Sequence, residues 1–258
     1  MQKRRECVVF KAVFSDARLW RKIIDAISTL IEEASFIATP NGLMLRAMDP
    51  SRVAMVDFEL QPLGFEEYSC DSEVVLGVNF DDIKKVMKRA SASDKLELEH
   101  DPVQNRLKVK LKGRATRVFA VPLLELGREE FSTPKVPFNV TVRMLSETLE
   151  DAIKDASVVS DYVRFEADQS SFRIKASGDR GEVEVSVDKD SGGLLGMEIK
   201  EPSHALYSLN YLENMMKAAD AADVVLVKFS TNMPLGLDFE LPNGRITYYL
   251  APRMEAET

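Results

Sequence analysis

Apolar positions along the chain change period in a fixed order, and the order runs twice. Cys7–Phe14 is apolar and β-branched, which predicts a strand. Ser15-Asp16 then offers a helix cap, and Leu19, Ile23, Ala26, Ile27, Leu30 and Ile31 recur at helical spacing. Strand patterns follow at Phe36–Thr39, Leu43–Ala47 and Val53–Leu60, a second helix near Phe80–Ala90, and three closing strands. The second half opens on a strand at Phe138–Val142 and a helical stripe of Leu145, Leu149, Ile153 and Ala156. Strands at Val163–Ala167, Phe172–Ala176 and Val183–Val187, a helix near Leu209–Ala219 and three more strands complete it, with Asn243-Gly244 as a hairpin turn.

The halves also share words. Val78-Asn-Phe80 returns as Leu209-Asn-Tyr211, Asp94-Lys-Leu-Glu-Leu98 as Asp223-Val-Val-Leu-Val227, and Val118-Phe-Ala-Val-Pro122 as Tyr248-Tyr-Leu-Ala-Pro252. A repeat this long predicts two similar domains rather than a short-period solenoid. At 258 residues, each half is large enough for its own core. Between them Leu123–Pro137, with Pro122, Gly127, Pro134, Pro137 and mixed charge, reads as an exposed crossover.

Composition changes the picture in two places. No apolar run reaches the length of a membrane span, and the basic opening Met-Gln-Lys-Arg-Arg-Glu leads into a strand pattern rather than a signal core. Two cysteines, Cys7 and Cys70, cannot build a disulfide framework, which points to a reducing compartment. The net charge of −8 argues against a nucleic-acid binder only if charge is spread evenly, and it is not. The first helix carries Arg18, Arg21 and Lys22, and the second Lys84, Lys85, Lys88 and Arg89, opposed chiefly by Asp25, Asp81 and Asp82. A solvated helix face is the plain alternative to phosphate contact. The matching helices of the second half set Lys154 and Lys217 among Glu147, Glu150, Asp151, Asp155, Glu213 and Asp220.

Catalytic chemistry has little to stand on. His100 and His204 lie in unrelated strand contexts, and the chain has no Cys/His metal spacing, phosphate-cradling glycine loop or nucleophile elbow. Asp81-Asp82 reads as a helix cap rather than a metal site, and Gly192-Gly193 as a turn. An enzyme is therefore not expected, nor any cofactor or metal.

From Cys7 to Met254 the chain resembles the archaeal and eukaryotic sliding clamps, the proliferating cell nuclear antigen family. The resemblance is carried by Leu30-Ile-Glu-Glu-Ala34, Ala47-Met-Asp-Pro-Ser-Arg-Val53, Gly64-Phe-Glu-Glu-Tyr-Ser-Cys-Asp71, Leu76-Gly-Val-Asn79, Asn232-Met-Pro-Leu235 and Tyr248-Tyr-Leu-Ala-Pro-Arg253. It implies an α+β fold, two repeated βαβββαβββ clamp domains (the DNA clamp fold) with helices on the inner face and sheets outside. Domains at 1–122 and 138–258 would flank a connecting loop at 123–137. By resemblance the chain would be a DNA polymerase processivity factor. It would encircle duplex DNA as a ring with two further clamp subunits, identical or related. Replicative DNA polymerase, flap endonuclease, DNA ligase and a clamp loader would be its partners, with no membrane. The place would be the cytoplasmic nucleoid in an archaeon or the nucleus in a eukaryote. A checkpoint-type clamp subunit, or a protein-binding scaffold that never encircles DNA, are the alternatives.

The same resemblance assigns residues. The nine helix cations named above, Lys154 and Lys217 included, would face DNA. A partner-motif groove, taking a glutamine and two aromatics, would comprise Met48, Arg52, Val53, Met55, Phe131, Pro134, Pro234, Tyr249, Ala251 and Pro252. Arg52 stands where relatives often carry histidine, and Thr133 where they carry an aliphatic residue. The subunit joint would set Ala115–Val121, with Arg114, Arg117 and Phe119, against Glu182–Val187, with Glu182 and Glu184. The charges agree independently, since Lys112, Arg114 and Arg117 mark a basic edge and Glu182, Glu184 and Asp188 an acidic one. Charges that guard edges against aggregation are the alternative reading.

Overall fold

A computed structural model describes residues 9–127 and 131–254, so Cys7 and Val8 of the first predicted strand lie outside the described residues. The first half runs β1 (Phe10–Phe14), α1 (Ala17–Ile27), β2 (Glu33–Thr39), β3 (Gly42–Met48), β4 (Ala54–Leu60), β5 (Glu67–Cys70) and β6 (Val74–Asn79). It continues with α2 (Phe80–Met87), β7 (Lys95–Asp101), β8 (Arg106–Lys112) and β9 (Thr116–Pro122). The second half repeats this as β10 (Val140–Leu145), α3 (Ser146–Val159), β11 (Tyr162–Ala167), β12 (Ser171–Gly178), β13 (Gly181–Asp188), β14 (Leu194–Ile199) and β15 (Ser203–Ser208). Then come α4 (Leu209–Met215) with a 3-10 turn at Met216–Asp220, β16 (Val224–Phe229), β17 (Leu235–Leu241) and β18 (Gly244–Leu250). Two strands therefore precede the second helix in each half, β5 and β6 or β14 and β15, beyond the three that the apolar periodicity reveals.

The chain divides into two compact units. Of the described residues, the first holds 9–47, 58–127 and 242–244; the second holds 48–57, 131–241 and 245–254. In the first unit one sheet has the order β5-β1-β7-β8-β9, and β6-β2-β3 lie beside the C-terminal end of β4. Helices α1 and α2 pack on each other and against strands of both sets. Between them Trp20 stacks on Phe14 and Phe36, each at 5.3 Å, and Phe58 and Phe80 extend the cluster. In the second unit one sheet is β13-β12-β11-β15, and β14-β10-β16-β17-β18 form the other set. There α3 packs on α4, β12 and β13, over a core of Phe165, Phe172, Tyr207 and Phe229.

Helix ends differ from the sequence reading for local reasons. The hydroxyls of Ser28 and Thr29 donate to the carbonyls of Asp25 and Ala26 at 3.0 and 2.8 Å. Such bonds compete with the helix, which stops at Ile27, short of the predicted Leu30 and Ile31. Helix α2 is capped by Asn79, whose side chain accepts from the Asp82 N–H at 3.3 Å; Asp81 and Asp82 instead fill the first turn, where acid suits the helix dipole. Since α2 ends at Met87, Arg89 lies in the turn that follows.

Candidate nucleic-acid and partner interfaces

The cations of the first unit fall into two groups. Arg18 is held by Asp16 through a 2.6 Å contact, Arg21 approaches Asp25 at 3.6 Å, and Lys85 meets Asp82 at 3.0 Å. These carboxylates raise the pKa of Arg18 and Lys85. Lys22, Lys88 and Arg89 are exposed and Lys84 half-buried. Lys22 lies beyond ion-pair distance of Asp16 yet helps Arg18 to lower its pKa, and Lys84, Lys88 and Arg89 have no ion pair within 4 Å among the described residues. Lys22 on α1, Lys84 on α2, and Lys88 and Arg89 in the turn after α2 are thus four cations without an ion pair within 4 Å among the described residues.

The second unit has none on its matching helices. Lys154 is 2.9 Å from Glu150 and 3.7 Å from Asp151, with Glu150 the main reason its pKa rises. Lys217 is 3.7 Å from Asp220. Each lysine is answered on its own helix, while Glu147, Asp155 and Glu213 add further negative charge.

Most of the predicted groove gathers around one loop of the second unit. Asp49 is 5% exposed, and its Oδ1 accepts from the N–H groups of Val53 and Ala54 at 2.8 and 2.7 Å. Its Oδ2 accepts from Ser51 N–H at 3.1 Å and from the Tyr211 hydroxyl at 2.8 Å. This folds residues 49–54 tightly enough that Arg52 takes a left-handed φ of 57° and stands exposed. Val53 then receives Ala251 N–H on its carbonyl at 2.9 Å, which joins the loop to the segment after β18. Met48, Val53, Tyr249, Pro252, Pro234, Phe131 and Pro134 are half-buried, Ala251 is exposed, and Met55 points into the core at 6% exposure. Pro234 follows the turn at 231–233 and directly precedes β17; Phe131 and Pro134 lie on the coil before β10. The residues that shape this loop, Asp49 and Tyr211, were not among those predicted. Met48-Asp-Pro-Ser-Arg-Val53 held the signal for Asp49, since an aspartate ahead of a turn often bonds its own backbone.

The two predicted joint strands are both sheet edges, β9 in the first unit and β13 in the second. Phe119 pairs with Val109 and Arg117 with Leu111, so both side chains share the face of the buried β8 residues. Arg117 is engaged there: Nη2 reaches the buried Asp94 carboxylate at 2.5 Å, and Nη1 donates to the Arg89 carbonyl at 2.8 Å. Lys112 is likewise held, by Glu97 at 2.5 Å. Arg114, exposed in the turn before β9, is the basic residue of that edge without an anionic partner among the described residues. On β13, Glu184 is 3.5 Å from Lys175, while Glu182 has no cationic partner among the described residues, and Val183 and Val185 are half-buried. A hollow of about 680 Å³ opens beside this edge, lined by Tyr162, Ser177, Glu182 and Glu184 among others.

Histidine chemistry does not emerge. His100 sits on β7, with burial pushing its pKa down, and His204 pairs with Glu166 across β15 and β11. Among the described residues no group of three or more His, Cys, Asp or Glu side chains is placed to hold a metal.

Two internally similar units, each with two helices over strand layers, define a two-domain clamp fold. The family model for the N-terminal domain of proliferating cell nuclear antigen matches residues 9–131, and that for the C-terminal domain residues 132–254. A DNA polymerase sliding clamp from Thermofilum pendens is 43% identical over 247 residues, covering 95% of this chain and 99% of that protein. One from Pyrococcus furiosus is 40% identical with the same coverage. The crystal structure of the proliferating cell nuclear antigen from Thermococcus kodakaraensis superposes with a TM-score of 0.90 at 32% identity, over 95% of this chain and 100% of that one. The chain belongs to the proliferating cell nuclear antigen family.

Proposed function

We propose that this chain is a DNA polymerase sliding clamp, a processivity factor that binds rather than catalyses. It closes with two further subunits into a ring around duplex DNA, and the two halves, 1–122 and 138–258 about the 123–137 crossover, are the repeated domains. The observation that carries the reading is the set of cations without an ion pair within 4 Å among the described residues, Lys22 and Lys84 on the first-unit helices and Lys88 and Arg89 in the turn after α2, in a chain whose net charge is −8. Phosphates attract such a face without reading sequence, as a protein that travels along DNA requires. Arg21 and Lys85 join it once phosphate competes for them, because exposed single-contact ion pairs are weak, and Arg18, gripped by Asp16 through two nitrogens, joins less readily. Lys154 and Lys217 contribute less, so the duplex is held mainly by first-domain helices. Retention on nicked circular plasmid, lost when the plasmid is linearised, tests encirclement; equal retention on both would leave a scaffold.

The groove around Met48, Arg52, Val53, Phe131, Pro134, Pro234, Tyr249, Ala251 and Pro252, with Met55 buried behind it, is the docking place for partner peptides: replicative polymerase, flap endonuclease, ligase and clamp loader. Thioethers adapt to varied ligands, and tyrosine and prolines give firm apolar walls. Tyr249→Ala should weaken binding of a glutamine-and-two-aromatics peptide by roughly 2 kcal/mol with assembly intact. Calorimetry showing wild-type affinity would remove the groove from this account.

The joint sets β9 of one chain beside β13 of the next, a head-to-tail pairing that closes into a ring. Phe119 on β9 and Val183 and Val185 on β13 supply apolar surface, and the free charges, Arg114 and Glu182 with Glu184 near, supply complementarity. Arg114→Glu should lower the assembled mass seen by light scattering on dilution. Adding Glu182→Arg and Glu184→Arg should partly restore it. No recovery in the combined variant would exclude charge pairing at this joint.

A further inference from the structure

The groove segments of the second unit are fastened by side chains that do not line the groove. Three of the four side-chain bonds to Asp49 come from its own loop and would move with it. The fourth, from Tyr211, arrives from α4, 162 positions further along the chain. Burial, with the Asp49 bond second, keeps that hydroxyl protonated by raising its pKa. The facing segment is secured in a similar way. After Ala251 and Pro252, the Arg253 N–H donates to the Leu206 carbonyl of β15 at 2.8 Å. The Arg253 guanidinium lies 4.0 Å from the centre of the Tyr162 ring on β11, and its Nη1 donates to the Tyr162 hydroxyl. Two of the segments that carry groove residues are thus tied by a tyrosine on another element: the loop by Tyr211 on α4, and the segment after β18 by Tyr162 on β11, beside its backbone bond to Leu206.

We propose that Tyr211 and Tyr162 are positioning residues for the partner groove, an inference that rests on the groove reading above. Neither has to touch the peptide. They hold the backbone of 49–54 and of 251–253 in the arrangement the peptide meets, so the ordering cost is met before binding. Without an anchor the segment spends part of its time elsewhere, and apparent affinity falls by the fraction of molecules still competent. The loss then appears in the association rate, whereas removal of a lining side chain appears in the dissociation rate.

Stopped-flow binding of a fluorescent peptide bearing one glutamine and two aromatics separates the two. Tyr211→Phe removes only the hydroxyl, and Tyr162→Leu removes the ring and hydroxyl under Arg253. Each should slow association by about threefold or more and leave dissociation near the wild-type rate. The circular dichroism spectrum of both variants, and the assembled mass of Tyr211→Phe, should stay unchanged, which separates positioning from a general loss of structure. Tyr249→Ala serves as the lining control, with faster dissociation expected. Wild-type association in both anchor variants, with Tyr249→Ala impaired, would overturn the inference. Wild-type binding by Tyr249→Ala would instead remove the groove reading, and the inference with it.

Discussion

Alanine at Lys22, Lys84, Lys88 and Arg89 together should flatten the salt dependence of DNA binding, by about 0.9 units of log–log slope for each phosphate no longer neutralised. Alanine at Lys154 and Lys217 together should leave the slope close to wild type. The physical difference lies in their surroundings rather than in side-chain length. The four first-unit cations form no ion pair within 4 Å among the described residues, although Lys22 acts on Asp16 at longer range, so a phosphate finds most of their charge unopposed. Lys154 faces Glu150 and Asp151, and Lys217 faces Asp220. A phosphate brought to either would meet at least as much negative charge as positive. Fluorescence anisotropy across a salt series, scaled to charges removed, gives the comparison. Equal slope changes per charge from the two sets would sink the claim that the first domain dominates.

The second large effect is expected at Arg117. Asp94 is 2% exposed and accepts from Ser91 N–H at 2.7 Å, from the Ser91 hydroxyl at 2.9 Å and from Arg117 at 2.5 Å. The Ser91 backbone bond, with help from Arg117, holds the Asp94 pKa below its ordinary 3.8. Arg117→Ala leaves this buried carboxylate without its cation, at a cost of about 2 kcal/mol. Arg117→Glu sets two acids together and should cost more. Both should lower the urea midpoint of the chain. The sign of the pH dependence follows from the depressed pKa. Stability from Asp94 is fully present above 3.8 and is lost as pH falls below that value toward the folded-state pKa. The acid-side loss in that window should therefore be smaller in Arg117→Ala, which has less to lose. A wild-type urea midpoint in Arg117→Ala would show that the pair carries no stability. Charge reversal at Arg117 is consequently a poor probe of the subunit joint, because it damages β9 from within; Arg114, which binds no carboxylate among the described residues, is the cleaner one.

How far the sequence could be read depended on the range of the interaction. Alternation and helical spacing are local, so β3, β4, β11–β13 and all four helices could be placed to within a few residues. Strand β5 could not, because Glu67-Tyr-Ser-Cys70 has a weak alternation and becomes a strand through pairing with β1. Strand β14 is hidden similarly: it starts after Gly193, where any side chain would collide with Thr148, and it depends on β10 for its register. The candidate site divides along the same line. Cations on α1 and α2 are visible from spacing, yet which of them are neutralised depends on side-chain geometry. Lys154 and Glu150 can be paired from their four-residue separation, but Arg18 with Asp16 and Arg117 with Asp94 cannot. Asp49 with Tyr211 was beyond reach, since nothing local relates residues so far apart.

Unequal edges have a genetic consequence. On the joint proposed above, each chain offers β9 to one neighbour and β13 to the other. A chain faulty only at β9 keeps a sound β13, so it still captures the β9 of a normal chain and then has nothing for the next to hold. It acts as a terminator, consuming good subunits instead of merely failing to join them. A lesion confined to one edge should therefore behave as dominant when both versions are expressed together. A chain faulty at both edges should be recessive, because it takes no partner out of circulation.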